Sequence, residues 1–390
     1  MYWTVLSTLG LVAGLAFTWW LHRHLGLNLR VAGAADPLPV PAPEIAVLVP
    51  ARNEARNIGR CLAALLAQTY PHYTLTVLDD RSTDATPALL SELARQDERL
   101  KVMLGEPLPP GWVGKPHALA QAVAGAGASA EWLCFVDADT FAEPHLLAAA
   151  YTTAAAQGAD MFTLFTRQRL GAFWEKVVMP IVFSALTVGF PPEHVNDPRR
   201  KAAVANGQFI LIKRRVYDAL GGHAALRASI TEDKDLAVRV KQAGYRLVIA
   251  DGRTAAETRM YTSLPELWEG WTKNIYLGLR GQLGLLLLGI VTGLSGALLL
   301  TGWPLAGLAW LAGGGGLPAA VVLAEALALW AYIVWQRARV SRELELSAWW
   351  GLTLPLGAFI FTAMLVTSTA RVLSGRGVTW KGRTYGAAGK

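Results

Sequence analysis

The sequence predicts an α/β domain built on a doubly wound, mostly parallel sheet, with one membrane-spanning helix before it and about three after it. Three observations predict this. Short apolar runs alternate with helix-like stretches between residues 45 and 139; acidic residues follow those runs directly; and long uncharged segments lie towards both ends of the chain. Alternating strands and helices build a mostly parallel sheet with helices packed on it. Such sheets hold their ligands beyond the carboxyl ends of the strands, which is where the acids fall.

The elements follow in order. Residues 37–43 form a Pro-rich connector. Residues 45–49 read as a buried strand, 56–68 as a helix with apolar periodicity, and 75–78 as a second strand. A helix over 86–96, a strand over 101–104, a helix over 116–126 and a strand over 132–136 come next, and residues 161–166 are again strand-like. Residues 177–190 are almost wholly apolar. As a helix they reach only about 21 Å, short of a bilayer core of about 30 Å. They are therefore either a buried core helix or an interfacial segment lying against a membrane.

Of the 390 residues, 53% are hydrophobic and 17% charged, and the mean hydropathy is +0.32, so part of the chain belongs in lipid. Residues 3–21 carry no charge and are long enough to span. A signal peptide would begin with basic residues, and this chain begins Met1, Tyr2, Trp3. Arg23 and Arg30 follow the segment, so the positive-inside tendency puts its start outside and the rest on the cytoplasmic side. A second apolar block, 283–335, is interrupted by Pro304 and by the glycine-rich stretch 313–318, and divides into two spans; 349–369 is the last. Four spans place the loop carrying Arg337, Arg339 and Arg342 inside and leave the basic tail outside; three short spans in the block would make five and reverse both, and four is preferred because 53 residues divide poorly into three full spans. This gives an anchor and linker at 1–36, a soluble block at 37–280 and a membrane region at 281–390. The net charge of +7 matches a preference for anionic lipid surfaces. Nucleic acid is not an expected partner, because the chain has neither a basic recognition helix nor an aromatic platform.

The run WLCFVDAD (132–139) ends a strand in two carboxylates, Asp137 and Asp139. The pattern is that of a solvated turn or of a site for a hard cation; oxygen donors without His or Cys suit Mg²⁺ or Mn²⁺ carrying a diphosphate. Thr231, Glu232 and Asp233 open a predicted helix, with Thr231 as cap and the acids matched to the helix dipole. That arrangement leaves them equally available for proton transfer. Cys61 and Cys134 have no redox or metal spacing and read as small core residues. His117, His194 and His223 also lack ligand spacing.

Five motifs occur in order: VLVPARNE (47–54), QTYP (68–71), VLDDRSTD (77–84), the Asp137–Asp139 pair and TED (231–233). Together they resemble the family 2 glycosyltransferases, which have the GT-A fold. PLPPGWVGK (107–115), VNDPRR (195–200) and the tail WKGRTY (380–385) are similar to the membrane-bound branch that acts on lipids, which includes ceramide glucosyltransferase-like, hopanoid-associated and carotenoid glycosyltransferases. The resemblance implies a multi-pass protein of a bacterial-type inner membrane, with its catalytic domain facing the cytoplasm. One departure stands out: where relatives carry Gln/Arg-x-x-Arg-Trp, this chain has LWEGW (267–271), which keeps Trp271 and loses both polar anchors.

The resemblance also implies roles. Pro50, Asn53, Glu54, Asp80, Lys115 and Asp137 would bind a nucleotide-sugar donor, most often a UDP-sugar, although Asp80 also suits an Asx turn and Lys115 a solvated helix start. Asp139 would hold Mg²⁺ or Mn²⁺. Asp233 would be the general base, with Glu232 orienting it or raising its pKa. Asn206, Gln208 and Trp271 would lie on the side of a lipid acceptor, and direct displacement would invert the sugar. A processive polysaccharide synthase is the second reading, disfavoured by the eroded LWEGW stretch. A non-catalytic nucleotide-sugar binding protein is the third, disfavoured because Asp139 and Asp233 are both present.

Overall fold

The computed structural model describes residues 5, 8–16, 19, 29–278, 283–374, 378–380 and 383–385. The chain forms two compact units: a sheet unit of residues 27–169, 190–260 and 381–390, and a helical unit of residues 1–26, 170–189 and 261–380.

In the sheet unit, β1 (Ile45–Ala51) leads to α1 (Ile58–Leu66), β2 (Tyr73–Asp79), α2 (Thr86–Gln96), β3 (Leu100–Leu104), α3 (Gly114–Gly125) and β4 (Trp132–Val136). Next come β5 (Thr140–Ala142), α4 (Leu146–Ala156), β6 (Met161–Phe165) and β7 (Arg167–Gln168). The chain then enters the helical unit as α5 (Phe173–Gly189). It returns as α6 (Pro192–Asn196), β8 (Phe209–Lys213), α7 (Arg214–Ala219), α8 (Glu232–Gln242), β9 (Leu247–Asp251) and β10 (Ala256–Thr258).

Seven strands make one sheet in the order β3-β2-β1-β4-β8-β6-β9. β1 runs parallel to β2 and β4, β2 to β3, and β6 to β9, whereas β8 is antiparallel to β4 and β6. The sheet is thus doubly wound and mostly parallel, with one reversed strand. β5, β10 and β7 form a small second sheet.

The sequence of β1 explains its central place. All seven residues are apolar, and a strand buried on both faces reads as such a run. Side chains alternate between faces. Ile45, Val47 and Val49 join Cys134, Phe209, Leu211 and Val248 in one core, under Ile58, Cys61 and Leu62 of α1 and Leu146 and Leu147 of α4. Ala46 and Leu48 join Leu133, Phe135, Ile210 and Ile249 in the other, under Leu119 and Ala122 of α3 and Leu236 and Val240 of α8. Each large aliphatic side chain so buried is worth about 1.5–3 kcal/mol. Both cysteines are buried and free, as expected. The outer edge of β9 is covered by linker residues, with Val31 N–H donating to Asp251 O and Asp251 N–H to Leu29 O, at 2.9 and 2.8 Å.

The helical unit continues with α9 (Leu264–Gly278), α10 (Leu283–Ala312), α11 (Gly316–Glu343) and α12 (Leu354–Leu373). Among the described residues three segments are long and apolar enough to cross a membrane: residues 289–312, 316–343 and 348–371. Large apolar side chains on them face outward, as lipid-facing surface does, Leu298 being 68% and Phe359 63% exposed. The apolar block breaks at its glycines, where Gly314 and Gly316 take φ of 88° and 56°, a region open to glycine. Pro304, expected to interrupt the block, stays inside α10. Of the expected N-terminal span, residues 5, 8–16 and 19 are described and helical, and the remainder lies outside the described residues. Thr8 Oγ1 donates to Glu325 Oε1 at 2.6 Å.

The apolar segment at 177–190 forms most of α5. Val177, Val178, Met179, Pro180 and Val182 are buried, whereas Val188 is exposed. It packs against α12 at Gly357, where an added Cβ would lie 2.5 Å from both Val177 O and Ile181 Cδ1. Small residues of this kind let membrane helices approach backbone to backbone. A carbonyl cannot rotate away as a side-chain end can. Gly357→Val is therefore expected to destabilise the detergent-purified protein by about 1–3 kcal/mol, the usual cost of overpacking. The check is thermal unfolding, and an unchanged midpoint would contradict the close approach.

Candidate active site

The chain runs from β1 outward to β2 and β3, then returns to lay β4 on the other side of β1. This reversal opens a crevice beyond the carboxyl ends of β1 and β4. Two loops on the β1 side lock together. Asn53 N–H donates to Ser82 Oγ at 2.9 Å, while Asn53 Oδ1 accepts the Thr83 N–H at 2.8 Å. Glu54 N–H donates to Thr86 Oγ1 at 2.8 Å, and Asp79 Oδ1 accepts the Ser82 N–H at 3.0 Å. Asn53 takes φ of 52°, which asparagine tolerates better than most residues. Arg52 Nη1 donates to Asp80 O at 2.6 Å, and Asp80 is itself buried. Pro50 lies in β1 just before this loop.

The other side of the crevice carries the charges. Lys115, in the first turn of α3, places Nζ 2.7 Å from Asp137 Oδ1 and 2.9 Å from Glu232 Oε1. Asp137 follows β4, and Glu232 and Asp233 open α8, so three elements distant in sequence meet at one ammonium. Asp233 Oδ2 accepts the Gly207 N–H at 3.0 Å, and its Oδ1 accepts the Lys234 N–H at 2.7 Å. Burial works against the Lys115 charge, yet Asp137, Glu232 and Asp233 outweigh it and hold the ammonium well above its ordinary pKa. Burial, then the Glu232 charge, pushes the Asp233 carboxyl up to about 6 against the pull of Lys115. Thr231 makes no side-chain cap bond, contrary to expectation; in that turn Ser229 Oγ donates to Asp235 Oδ2 at 2.8 Å.

Asp139 is partly buried in the loop after Asp137. Burial pushes the Cys61 thiol up, and the charges of Asp139, Glu54 and Asp137 push the same way, so these three acids share one neighbourhood over α1. Hard carboxylate oxygens in a net negative field suit a divalent ion such as Mg²⁺ or Mn²⁺. Among the described residues no three His, Cys, Asp or Glu side chains gather as a metal group, so a bound ion would complete its shell from a ligand's oxygens. His223 accepts or donates with the Tyr217 hydroxyl at 2.8 Å, and burial lowers its pKa to about 4, which keeps it neutral.

Asn206 and Gln208 come within the same region through a buried polar network. Asn206 N–H donates to Thr163 Oγ1 and its Nδ2 to Leu164 O, both at 3.0 Å. Gln208 Oε1 accepts from Asn206 Nδ2 at 3.0 Å, from Gln168 Nε2 at 3.2 Å and from the Thr166 hydroxyl. Trp271 belongs to the helical unit, where its indole N–H lies 3.3 Å from Met179 Sδ. Sequence reasoning passed over Gly207, whose only signal was a glycine between two polar residues before a strand.

Residues 41–274 match the family model described as "Glycosyltransferase like family 2". The 4,4'-diaponeurosporenoate glycosyltransferases of Staphylococcus aureus strains MRSA252 and USA300 are each 28% identical over 258 residues, 65% of this chain and 66% of theirs. The chain thus matches just under two thirds of the length of these relatives. Among solved structures, the mannosyltransferase PcManGT from Pyrobaculum calidifontis, in complex with GDP-Man and Mn²⁺, aligns with a TM-score of 0.56 at 20% identity. That alignment covers 95% of this chain and 98% of the other, and the likeness is one of fold.

The charge cluster makes its own prediction. Lys115→Met leaves Asp137, Glu232 and Asp233 without their shared cation, and unpaired buried charges are strongly destabilising. Carboxylates freed of that cation have raised pKa values, and a raised carboxylate weakens folding most where it is ionised. The loss of thermal stability is therefore expected to be large at pH 7.5 and to shrink towards pH 5. A deficit that stays constant with pH would mean Lys115 contributes packing rather than charge.

Proposed function

The chain belongs to glycosyltransferase-like family 2, and from that premise we propose that it is a membrane-bound, metal-dependent, inverting glycosyltransferase. Its donor is a nucleotide-sugar of the UDP-hexose class, and its acceptor is a hydroxyl of an apolar membrane lipid. The observation that carries the reading is the meeting of Lys115, Asp137, Glu232 and Asp233 at the switch point of the sheet. The carotenoid named in the S. aureus relatives and the three long apolar helices support a lipid acceptor.

The residues divide the work. The interlocked loops carrying Asn53, Glu54 and Asp80, together with Asp137, bind the nucleoside, and Lys115 faces the diphosphate. Asp139 holds the divalent ion, whose chemistry when bound is to neutralise the diphosphate so that it leaves more readily. An acceptor hydroxyl is a poor nucleophile. Asp233, held at Oδ2 by the Gly207 N–H and at Oδ1 by the Lys234 N–H, removes its proton as the oxygen attacks the anomeric carbon. Attack from the face opposite the diphosphate turns an α-linked donor into a β-glycoside. The Glu232 charge raises the pKa of that base, and Lys115 pairs with Glu232 at 2.9 Å.

Mass spectrometry of lipid extracts from cells with and without the gene tests the reading as a whole. A hexosylated lipid that appears only with the gene is the expected result; its absence under expression rejects the lipid acceptor.

Asp233→Asn should leave UDP affinity within a few-fold and lower kcat by about 10²–10⁴, the contribution of a general base. A parallel fall in UDP affinity would place Asp233 among donor-binding groups instead. Because the base works ionised, kcat/KM of the wild type should fall as pH drops through about 6. Glu232→Gln should move that limb to lower pH, since it removes the second-largest cause of the shift. The raised value has the opposite sign for folding. The Asp233 contribution is most favourable below its unfolded pKa of about 4 and is lost as pH rises through about 6.

Asp139→Ala should abolish the Mn²⁺ dependence of UDP binding with little change in the unfolding midpoint. Titration of UDP with and without EDTA reads this directly, and equal binding by wild type in both conditions would remove the metal from the reading.

A further inference from the structure

The small second sheet carries positive charge that sugar transfer does not use. Its register sets Phe141 of β5 opposite Glu257 of β10, and Glu257 beside Arg167 of β7. Arg169 extends that row, its N–H donating to Thr258 O at 2.8 Å. Arg60 arrives from α1, its guanidinium carbon 3.9 Å from the centre of the Phe141 ring, and pairs with Glu257 Oε1. Arg169 Nη1 lies 3.4 Å from the same oxygen, and Arg167 Nη2 lies 3.7 Å from Oε2. Among the described residues Glu257 is the only acid paired with Arg60 or Arg169, so one carboxylate oxygen serves both. The acid lies inward and the cations outward: the Glu257 side chain is 14% exposed, against 52% for Arg60 and 53% for Arg169. We propose that Arg60 and Arg169 form a docking site for the phosphate of an anionic membrane lipid, which is held there and not consumed.

Charge and connectivity together select a lipid phosphate. Two guanidinium groups drawn to one oxygen repel each other, and an anion placed between them relieves that cost. The planar guanidinium fork matches phosphate oxygens, and the Phe141 ring under Arg60 holds one fork in place. Exposed ion pairs are worth little, so both arginines can turn from Glu257 to a phosphate while Arg167 stays beside the carboxylate. The strands that carry the cluster are also those from which the chain passes to the helical unit. It does so directly after Arg169, and again after Met260, two residues beyond β10. The segments long enough to cross a membrane lie in that unit, and basic residues close in sequence to such segments are attracted to anionic lipid. The docked lipid is a bystander to sugar transfer, so the site stands whatever the donor and acceptor are.

The test uses the full chain in nanodiscs of phosphatidylcholine, with or without phosphatidylglycerol. Phenylglyoxal modifies accessible guanidinium groups, and peptide mass spectrometry reads each arginine separately. Arg60 and Arg169 should react about five-fold more slowly where phosphatidylglycerol is present, the order expected of one basic residue at an anionic surface. Arg95, exposed on α2 and paired with Glu92, should react at the same rate in both discs. Equal rates at Arg60 and Arg169 in the two discs overturn the docking site, and so does a slowing that Arg95 shares. Inorganic phosphate, added to phosphatidylcholine discs at the same phosphate concentration, should protect neither arginine; protection equal to that by the lipid overturns the assignment to a membrane surface. Native mass spectrometry gives a second measurement. Wild type and Arg60→Lys/Arg169→Lys should each retain one more phosphatidylglycerol than Arg60→Gln/Arg169→Gln, and equal numbers in all three overturn the site. Hexose appearing on phosphatidylglycerol in the presence of UDP-glucose overturns the bystander role, assigning the cluster to the acceptor.

Discussion

Three carboxylates from two distant parts of the chain share one ammonium, and the sheet unit's chemistry depends on that arrangement. Asp137 stands at the end of a central strand, Glu232 and Asp233 at the start of a helix, and Lys115 reaches both from the first turn of another helix. Gathering like charges beside a packed core is unfavourable unless a cation offsets them. Lys115 offsets two directly and leaves the third, Asp233, with a raised pKa. The residue left short of compensation is the one proposed to take up a proton. A full set of ion pairs would be more comfortable for folding and would leave no base near neutrality.

The rest of the sheet unit holds these groups still. Both faces of the sheet are covered by helices, and side chains of β1 and β4 alternate between the two buried cores, so a one-residue slip would send every one of them into the packing of the opposite core. At the strand tips, short polar side chains take over: Asn53, Ser82, Thr83 and Asp79 bond one loop to the other. On the far side, Thr163, Asn206 and Gln208 do the same for the turn that carries Gly207. The backbone donors of Asn53, Ser82, Thr83, Asn206 and Gly207 each have an acceptor, as a preorganised site requires.

The helical unit solves a different problem with different residues. In lipid, burying apolar surface gives little drive for helices to associate, so close backbone approach and polar contacts matter more. Gly357 lets α12 lie against the α5 backbone, and at Gly307 of α10 an added Cβ would lie 3.1 Å from the Leu323 Cα. Ser368 Oγ donates to Thr272 O at 2.5 Å, joining α12 to α9. Arg337, though buried, donates to Lys176 O at 3.0 Å and so ties α11 to α5.

Local pattern was enough to read much of this protein. The continuous apolar run at 45–49, the acids after residues 78 and 136, and the glycine-rich break at 313–316 each follow from period, burial or backbone freedom, which neighbouring residues alone determine. The sequence likewise marked Lys115, Asp137, Glu232 and Asp233 individually. It did not show that they touch, because up to 118 positions separate Lys115 from Asp233 and only the strand order closes that distance. Nor did it reveal the reversal of β8, which has the same apolar alternation in either direction. Thr231 looked like a cap and is not one, since cap geometry depends on how the chain arrives. Gly207 is the sharpest case: its backbone would suit any residue, and the reason for glycine is three side chains brought there from elsewhere by the fold.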